Sequence, residues 1–267
     1  MKKPGIFLIP LLIFAVISFL GTRLFASGAI SPAAMVAIFG GLMILMAFVR
    51  PKNKSQSPVD DQLTLLGEPA QDAFKDDEKL QSKFQSAVAD YTAGMPRAAM
   101  NKLTVLATQC KTDNDRYAIA VMTGLVNCSL GDFENAIKLY NQAIVLFPGS
   151  QLAAAIGSAH QRLGELKKAI DSYEFALELD ENNLDARSSL ATAYVAHGDF
   201  ELAIEESQQV LDQDENNASA LATIAICHGV LGNEDLRVGY TEKAVANGYK
   251  EEKINTTIDA LKKRHRK

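Results

Sequence analysis

Four eight-residue stretches with a shared pattern decide the fold: LGDFENAI at 130–137, LGELKKAI at 163–170, HGDFELAI at 197–204 and LGNEDLRV at 231–238. Their glycines are 33, 34 and 34 residues apart. Self-similarity at this period is typical of arrays in which each unit is one pair of antiparallel helices. The pattern therefore predicts that the body of the chain is all-helical and repetitive.

Small residues recur in three columns of this repeat, where they let two helices approach closely. These columns lie seven residues before each glycine, five after it and twelve after it, and they include Gly124, Gly157, Ala191, Ala225, Ala136, Ala169, Ala203, Ala143, Ala176 and Ala244. Larger apolar residues are predicted to fill the space between repeats: Ile137, Ile170, Ile204, Val238, Tyr140 and Tyr173. Turn-forming strings at 147–150, 180–183 and 214–217 are predicted to end the second helix of each pair.

At these residues the chain resembles the tetratricopeptide repeat family. The first repeat matches the family pattern almost in full, through Gly124, Gly131, Phe133, Ala136, Tyr140, Ala143 and Pro148. Later repeats have Glu181 and Glu215 in place of the final Pro, and the fourth has Arg237 in place of an Ala. The resemblance covers residues 117–247. It implies an α-solenoid, a right-handed superhelix of helix-turn-helix pairs.

The array is predicted to span residues 80–249. Four repeats occupy 117–149, 150–183, 184–217 and 218–249, and a degenerate unit precedes them at 80–113. Residues 250–267 are predicted to form a capping helix with a basic tail, since the last unit of an array otherwise leaves its apolar face in water. Ile254, Ile258 and Leu261 lie on one face of that helix.

The first 49 residues differ sharply in composition from the rest of the chain. They contain 34 hydrophobic residues and three charges, whereas residues 50–261 carry a net charge of −13. Apolar runs at about 5–22 and 33–49 are each close to the ~17–25 residues that a transmembrane helix needs. They are predicted to form a transmembrane hairpin. The acidic body argues against nucleic-acid binding, because it would repel phosphates.

An alternative reading of residues 1–29 is a cleaved secretory signal, with Ser27 and Ala29 at the cleavage site. In either case Arg50, Lys52 and Lys54 follow the second apolar run, and basic flanks favour the cytoplasm. Residues 50–79 mix Pro, Ser, Gln and charge, and they are predicted to be a largely flexible linker with one short helix near 69–74.

No motif of a known catalytic or nucleotide-binding site is present in the sequence, and no CxxC pair exists. Cys110, Cys128 and Cys227 are interpreted as packing residues. The histidines follow the repeat or lie in turns and the tail, so neither a metal nor another cofactor is expected. The basic tail KKRHRK at 262–267 is interpreted as a solvated helix end that complements the helix dipole, with attraction to anionic lipid or to acidic surface of the body as the alternative.

The resemblance implies that the first helices of successive repeats line a groove for a peptide or a partner helix. The groove residues predicted to bind a partner are Val121, Leu125, Gln151, Ser158, Gln161, Arg162, Ser188 and Thr192. Few of these positions are charged, which argues against an adaptor for acidic chaperone tails. The alternatives are that the protein's own linker fills the groove, or that partners use the convex or edge surfaces.

These observations predict a membrane-anchored scaffold without catalytic activity, which binds a protein or peptide at the cytoplasmic face of a bacterial inner or plasma membrane. Neither a nucleic acid nor a small-molecule substrate is expected as a partner. The alternative is an assembly factor of an envelope or secretion system, with the repeats on the extracytoplasmic side.

Overall fold

The computed structural model describes residues 62–265, and the two apolar runs predicted to cross a membrane lie outside this range. Eleven α-helices follow two short 3-10 turns, Thr64–Leu66 and Pro69–Asp72, within the described residues. The helices are α1 (Glu78–Thr92), α2 (Pro96–Ala107), α3 (Asp113–Leu130), α4 (Phe133–Leu146), α5 (Ser150–Arg162), α6 (Leu166–Leu179), α7 (Leu184–His197), α8 (Phe200–Gln213), α9 (Ala218–Leu231), α10 (Glu234–Ala246) and α11 (Glu251–His265). None of them is long and apolar enough to cross a membrane.

The first ten helices form five antiparallel hairpins, each of which packs against the next. The turn inside the hairpin α3/α4 shows why the glycine spacing predicts this arrangement. Gly131 has a φ of +83°, a left-handed conformation that glycine adopts without the steric penalty of a Cβ atom. The all-helical repeat architecture predicted from the sequence is confirmed.

Asparagine side chains cap the helices that follow two of the turns between hairpins. Asn183 Oδ1 accepts a 3.0 Å hydrogen bond from the N–H of Ala186, and Asn217 Oδ1 accepts one of 3.1 Å from the N–H of Ala220. An asparagine at this position satisfies an N–H that the helix itself leaves unpaired. The strings at 180–183 and 214–217 therefore end one helix and start the next.

Two different contacts hold the helices of a hairpin together. In α3/α4 and α5/α6, a tyrosine ring lies directly on a glycine, in the pairs Tyr140 on Gly124 and Tyr173 on Gly157. A Cβ atom at either glycine would overlap the ring. In α7/α8 and α9/α10, the positions equivalent to the tyrosine hold the smaller residues Ser207 and Thr241, and those equivalent to the glycine hold Ala191 and Ala225. Both Ser207 and Thr241 are buried.

The last helix, α11, packs chiefly against α9 and covers the end of the array. Its apolar residues Ile254, Ile258 and Leu261 are all buried. The side chain of Ile258 lies on Gly229, where a Cβ atom would collide with it. Val238 on α10, which is predicted to fill the space between repeats, is instead 41% exposed.

The prediction of a flexible linker over 50–79 requires correction for residues 62–77. Both 3-10 turns contact α3, and Leu63, Leu65 and Leu66 pack against the apolar core of the first hairpins. Ala73 and Phe74 are buried, with exposures of 1% and 4%. This part of the predicted linker is therefore folded onto the array, and residues 50–61 lie outside the described range.

Candidate functional site

The first helices of the repeats, α3, α5, α7 and α9, form one continuous surface, which we call the A-helix face. Successive members of the set α5, α7 and α9 contact one another directly. A cavity of about 450 Å³ opens on this face between α3 and α5. A volume of this size suits a few side chains of a peptide or a small ligand.

Four of the eight predicted groove residues line this cavity: Leu125, Gln151, Ser158 and Arg162. Leu125 is 3% exposed and belongs to the apolar wall, whereas the other three present polar or charged groups at the surface. The remaining lining residues are Gln62, Leu65, Tyr91, Cys128, Ser129, Phe133, Tyr140, Ala155 and Ala159. The cavity therefore combines apolar walls with hydrogen-bonding groups and one cation.

Val121 does not reach the surface, because its side chain is fully buried in the apolar core. Its predicted contact with a partner is therefore corrected to a packing role. Gln161 has a structural partner of its own, since its Oε1 accepts a 3.0 Å hydrogen bond from the hydroxyl of Tyr173. Burial raises the pKa of Tyr173 to about 12, so this hydroxyl remains a donor at neutral pH.

Ser188 and Thr192 lie one turn apart on α7, outside the set of residues that line the cavity. The hydroxyl of Thr192 donates a 2.8 Å hydrogen bond to the backbone carbonyl of Ser188, and Thr192 is exposed. These two residues belong to the A-helix face. They form a separate polar patch and not an extension of the cavity wall.

Arg162 is the cation at the rim of the cavity. Its guanidinium lies 5.1 Å from the ring centroid of Phe133, and a cation in this position is attracted to the face of the ring. Within residues 62–265, no carboxylate forms a salt bridge with Arg162. The side chain is exposed and is thus placed to bind an anionic group of a ligand.

Of the nine lining residues that are not among the predicted groove residues, Gln62 and Leu65 come from the segment predicted to be a linker. The turn Thr64–Leu66 contacts α3 and α5, so this segment lies on the A-helix face itself. Three leucines within the four residues 63–66 are the signal that could have shown this packing. At this end of the A-helix face, the position of residues 62–66 agrees with the alternative in which the protein's own linker enters the groove.

The cysteines are half-buried or buried, and burial raises the pKa of Cys110, Cys128 and Cys227. Such thiols remain protonated at neutral pH, which disfavours nucleophilic chemistry. Nδ1 of His160 lies 2.6 Å from a carboxylate oxygen of Glu165, and Nδ1 of His197 lies 2.6 Å from one of Asp199. In the part of the chain that the structure describes, no group of three or more His, Cys, Asp or Glu residues is arranged to hold a metal ion.

The basic tail begins with a contact to the array. The guanidinium of Arg264 donates a 2.9 Å hydrogen bond to the carbonyl of Ala196, near the C-terminal end of α7. A cation is favourable there, since the carbonyl end of a helix carries partial negative charge. This part of the tail therefore binds the body of the protein, as in the alternative that places it on the array.

Comparisons with known proteins agree with this architecture. Tetratricopeptide repeat models match residues 120–150 and 160–227. The protein CTR9 homolog of Arabidopsis thaliana is 29% identical over 92 residues, which are 34% of this chain and 8% of that relative. The chain therefore spans only a small part of the length of that relative.

Solved structures with the same fold cover about two thirds of the chain. The structure of MamA is 21% identical with a TM-score of 0.58, and the match covers 66% of this chain and 95% of that one. A tetratricopeptide repeat protein from Parabacteroides merdae is 16% identical with a TM-score of 0.61, over 69% and 72% of the two chains. YrrB, described as a TPR protein with an unusual peptide-binding site, is 17% identical with a TM-score of 0.54, over 68% and 93%. The hairpin geometry, the glycine turns and the family matches together show that the chain contains tetratricopeptide repeats, at residues 120–150 and 160–227.

Proposed function

We propose that the protein is a scaffold that binds a segment of a partner protein in the cavity between α3 and α5. The observation that carries this proposal is the composition of the cavity. It joins the apolar side chain of Leu125 to the hydrogen-bonding groups of Gln151 and Ser158 and to the guanidinium of Arg162, which forms no salt bridge with a carboxylate of residues 62–265. A peptide offers the matching set, namely apolar side chains, backbone amides and a carboxylate.

The solved neighbours support a binding function of this kind. YrrB is described as having a peptide-binding site, and it shares the fold over 93% of its own length. Repeat arrays of this architecture present extended surfaces for binding. We propose a scaffold and not an enzyme, because the titratable residues of the cavity have no arrangement in which a nucleophile, a base and an orienting group meet.

The binding site is testable by photo-crosslinking in cells. A photoreactive residue at Gln151 or at Ser158 is expected to capture the same protein from both positions. Val145, which lies on α4 and is 80% exposed, provides a matched control position outside the cavity. Arg162→Glu is expected to weaken both crosslinks while the far-UV circular dichroism stays unchanged. Equal capture from Val145, or capture that is insensitive to Arg162→Glu, would refute the binding site.

We further propose that residues 1–49 anchor the protein in a membrane and that the repeats face the cytoplasm. The apolar composition of that segment and the basic residues Arg50, Lys52 and Lys54 support this topology. A C-terminal alkaline phosphatase fusion is expected to be inactive, because this enzyme folds only in an oxidising compartment. An active fusion would favour the alternative, an envelope or secretion assembly factor with extracytoplasmic repeats.

A further inference from the structure

We infer that residues 62–72 are a displaceable intramolecular ligand of the A-helix face and that a partner binds by replacing them with a leucine-bearing segment of its own. This inference rests on the proposed function for the location of the partner site. It adds the chemistry of the partner and the competition that controls its access.

The segment occupies part of the space that the proposed partner requires. Gln62 and Leu65 line the same cavity as Gln151, Ser158 and Arg162. The turn Thr64–Leu66 contacts both α3 and α5, the two helices between which the cavity opens. A partner segment that binds along this face therefore has to displace residues 62–66.

Side chains of the array donate hydrogen bonds to this segment. The hydroxyl of Tyr91 donates a 2.5 Å hydrogen bond to Oε1 of Gln62, and the hydroxyl of Tyr117 donates one of 3.1 Å to the carbonyl of Leu65. The side-chain amide of Asn114 donates a 3.0 Å bond to the carbonyl of Pro69. An incoming peptide offers equivalent acceptors, so these donors do not distinguish the segment from a partner.

Burial separates the displaceable part of the segment from its anchor. No residue of either 3-10 turn is buried. Ala73 and Phe74, by contrast, are 1% and 4% exposed, and the N–H of Phe74 bonds to Asp115. Residues 62–72 are thus expected to detach while residues 73–74 stay in place, because detachment exposes no side chain of the two turns that is fully buried in the folded chain.

The leucines indicate what the face accepts. Leu63, Leu65 and Leu66 are half-buried and pack against the apolar core of the first hairpins. Leu65 and Leu66 belong to the 3-10 turn Thr64–Leu66, and Leu63 is the residue directly before that turn. The partner is accordingly expected to present two or three leucines on one short helical turn.

The test uses the full chain of 267 residues and a fluorescent synthetic peptide of residues 61–72. In the variant Leu63→Ser/Leu65→Ser/Leu66→Ser the resident segment is weakened, and the peptide is expected to bind this variant at least tenfold more tightly than the unmodified chain. The matched control Leu202→Ser/Leu236→Ser changes two exposed leucines of α8 and α10 and is expected to bind like the unmodified chain. A peptide carrying the same three serines is expected not to bind.

Equal affinity for the triple variant and the unmodified chain, or no binding to either, overturns the inference. Hydrogen exchange of the unmodified full chain supplies a second test that requires no substitution. The amides of Gly67 and Gln71 are hydrogen-bonded within the turns, and they are expected to exchange at least a hundredfold faster than those of Leu103 and Leu106 in the core. Exchange at the same rate overturns displacement.

These outcomes are independent of the crosslinking test of the proposed function. If Gln151 and Ser158 capture a partner but the synthetic peptide does not bind the triple variant, the partner site stands and the intramolecular ligand fails. If the peptide binds while no partner is captured at either position, the A-helix face accepts the segment and the proposed function fails.

Discussion

The backbone N–H of Phe74 donates a 2.7 Å hydrogen bond to Oδ1 of Asp115, 41 residues further along the chain. The other carboxylate oxygen of Asp115 accepts from the N–H groups of Lys111 and Thr112 at 2.8 and 3.0 Å. Phe74 has a φ of +57°, a conformation that costs a bulky residue about 1–3 kcal/mol. The burial of its ring and the bond to Asp115 offset this cost, so one carboxylate both caps α3 and attaches the preceding segment to it.

Asp115→Ala should destabilise the fold by roughly 1–3 kcal/mol, because it leaves the buried N–H of Phe74 without an acceptor. Denaturant unfolding followed by circular dichroism measures this loss. The matched control is Asp113→Ala, in the same turn of α3. Asp113 is exposed and pairs with Arg116 at the surface, so its removal should cost less than about 0.5 kcal/mol. Equal losses in the two variants would contradict the anchoring role.

Asp115 should also make stability depend on pH. Burial by itself would raise its pKa, but the three N–H donors and the Thr112 hydroxyl outweigh burial and hold the pKa below its ordinary range. The unfolded chain has the higher pKa, about 3.9, so the stabilisation is present above about pH 4 and is lost as the pH falls through the folded pKa. Unfolding free energies measured between pH 6 and pH 2 should fall less steeply in Asp115→Asn than in the unmodified chain. If the unfolding free energies of the two proteins fell in parallel with pH, the acid sensitivity would come from other carboxylates.

Gly124→Ala should destabilise the hairpin α3/α4 by about 1–3 kcal/mol, since the added methyl group overlaps the buried ring of Tyr140. Combining it with Tyr140→Ser reproduces the Ala191 and Ser207 pair of the third repeat. The loss in the double variant should therefore be smaller than the sum of the two single losses. Strict additivity of the three unfolding free energies would show that the ring and the glycine are not coupled.

Ile254→Ala should cost about 2–5 kcal/mol locally, because this side chain is fully buried between the capping helix and the array. Each unit of a solenoid contacts only its neighbours, so faster hydrogen exchange should be confined to α9, α10 and α11. Asp259→Ala, at an exposed position of α11, serves as the control. An equal increase of exchange in α3 and α4 would disprove this local effect.

The glycine spacing predicts the hairpins because each turn glycine and each small-residue column acts within about 20 residues of sequence. The same reasoning predicts Leu125, Gln151, Ser158 and Arg162, which the structure brings together in one cavity. It fails for Val121, whose side chain is fully buried in the apolar core.

The sequence predicts a short helix near 69–74, where the 3-10 turn Pro69–Asp72 lies, but it does not predict that this part of the linker packs onto the array. Polar and charged residues surround its leucines, so local composition favours a flexible chain. Its position depends on contacts that span 29 to 52 residues, such as those of Tyr91 with Gln62 and of Tyr117 with Leu65. No local pattern encodes such pairings, and only the folded array brings the two sides together.

The two kinds of hairpin are expected to differ in their resistance to stretching along the array. The rings of Tyr140 and Tyr173 pack on glycines in α3/α4 and α5/α6, whereas the smaller side chains of Ser207 and Thr241 stand at the equivalent positions of α7/α8 and α9/α10. The hydroxyl of Ser207 is buried without a hydrogen-bond partner among the described residues, which weakens its hairpin further. Under tension the C-terminal hairpins should therefore stretch first, while the half that carries the cavity keeps its shape.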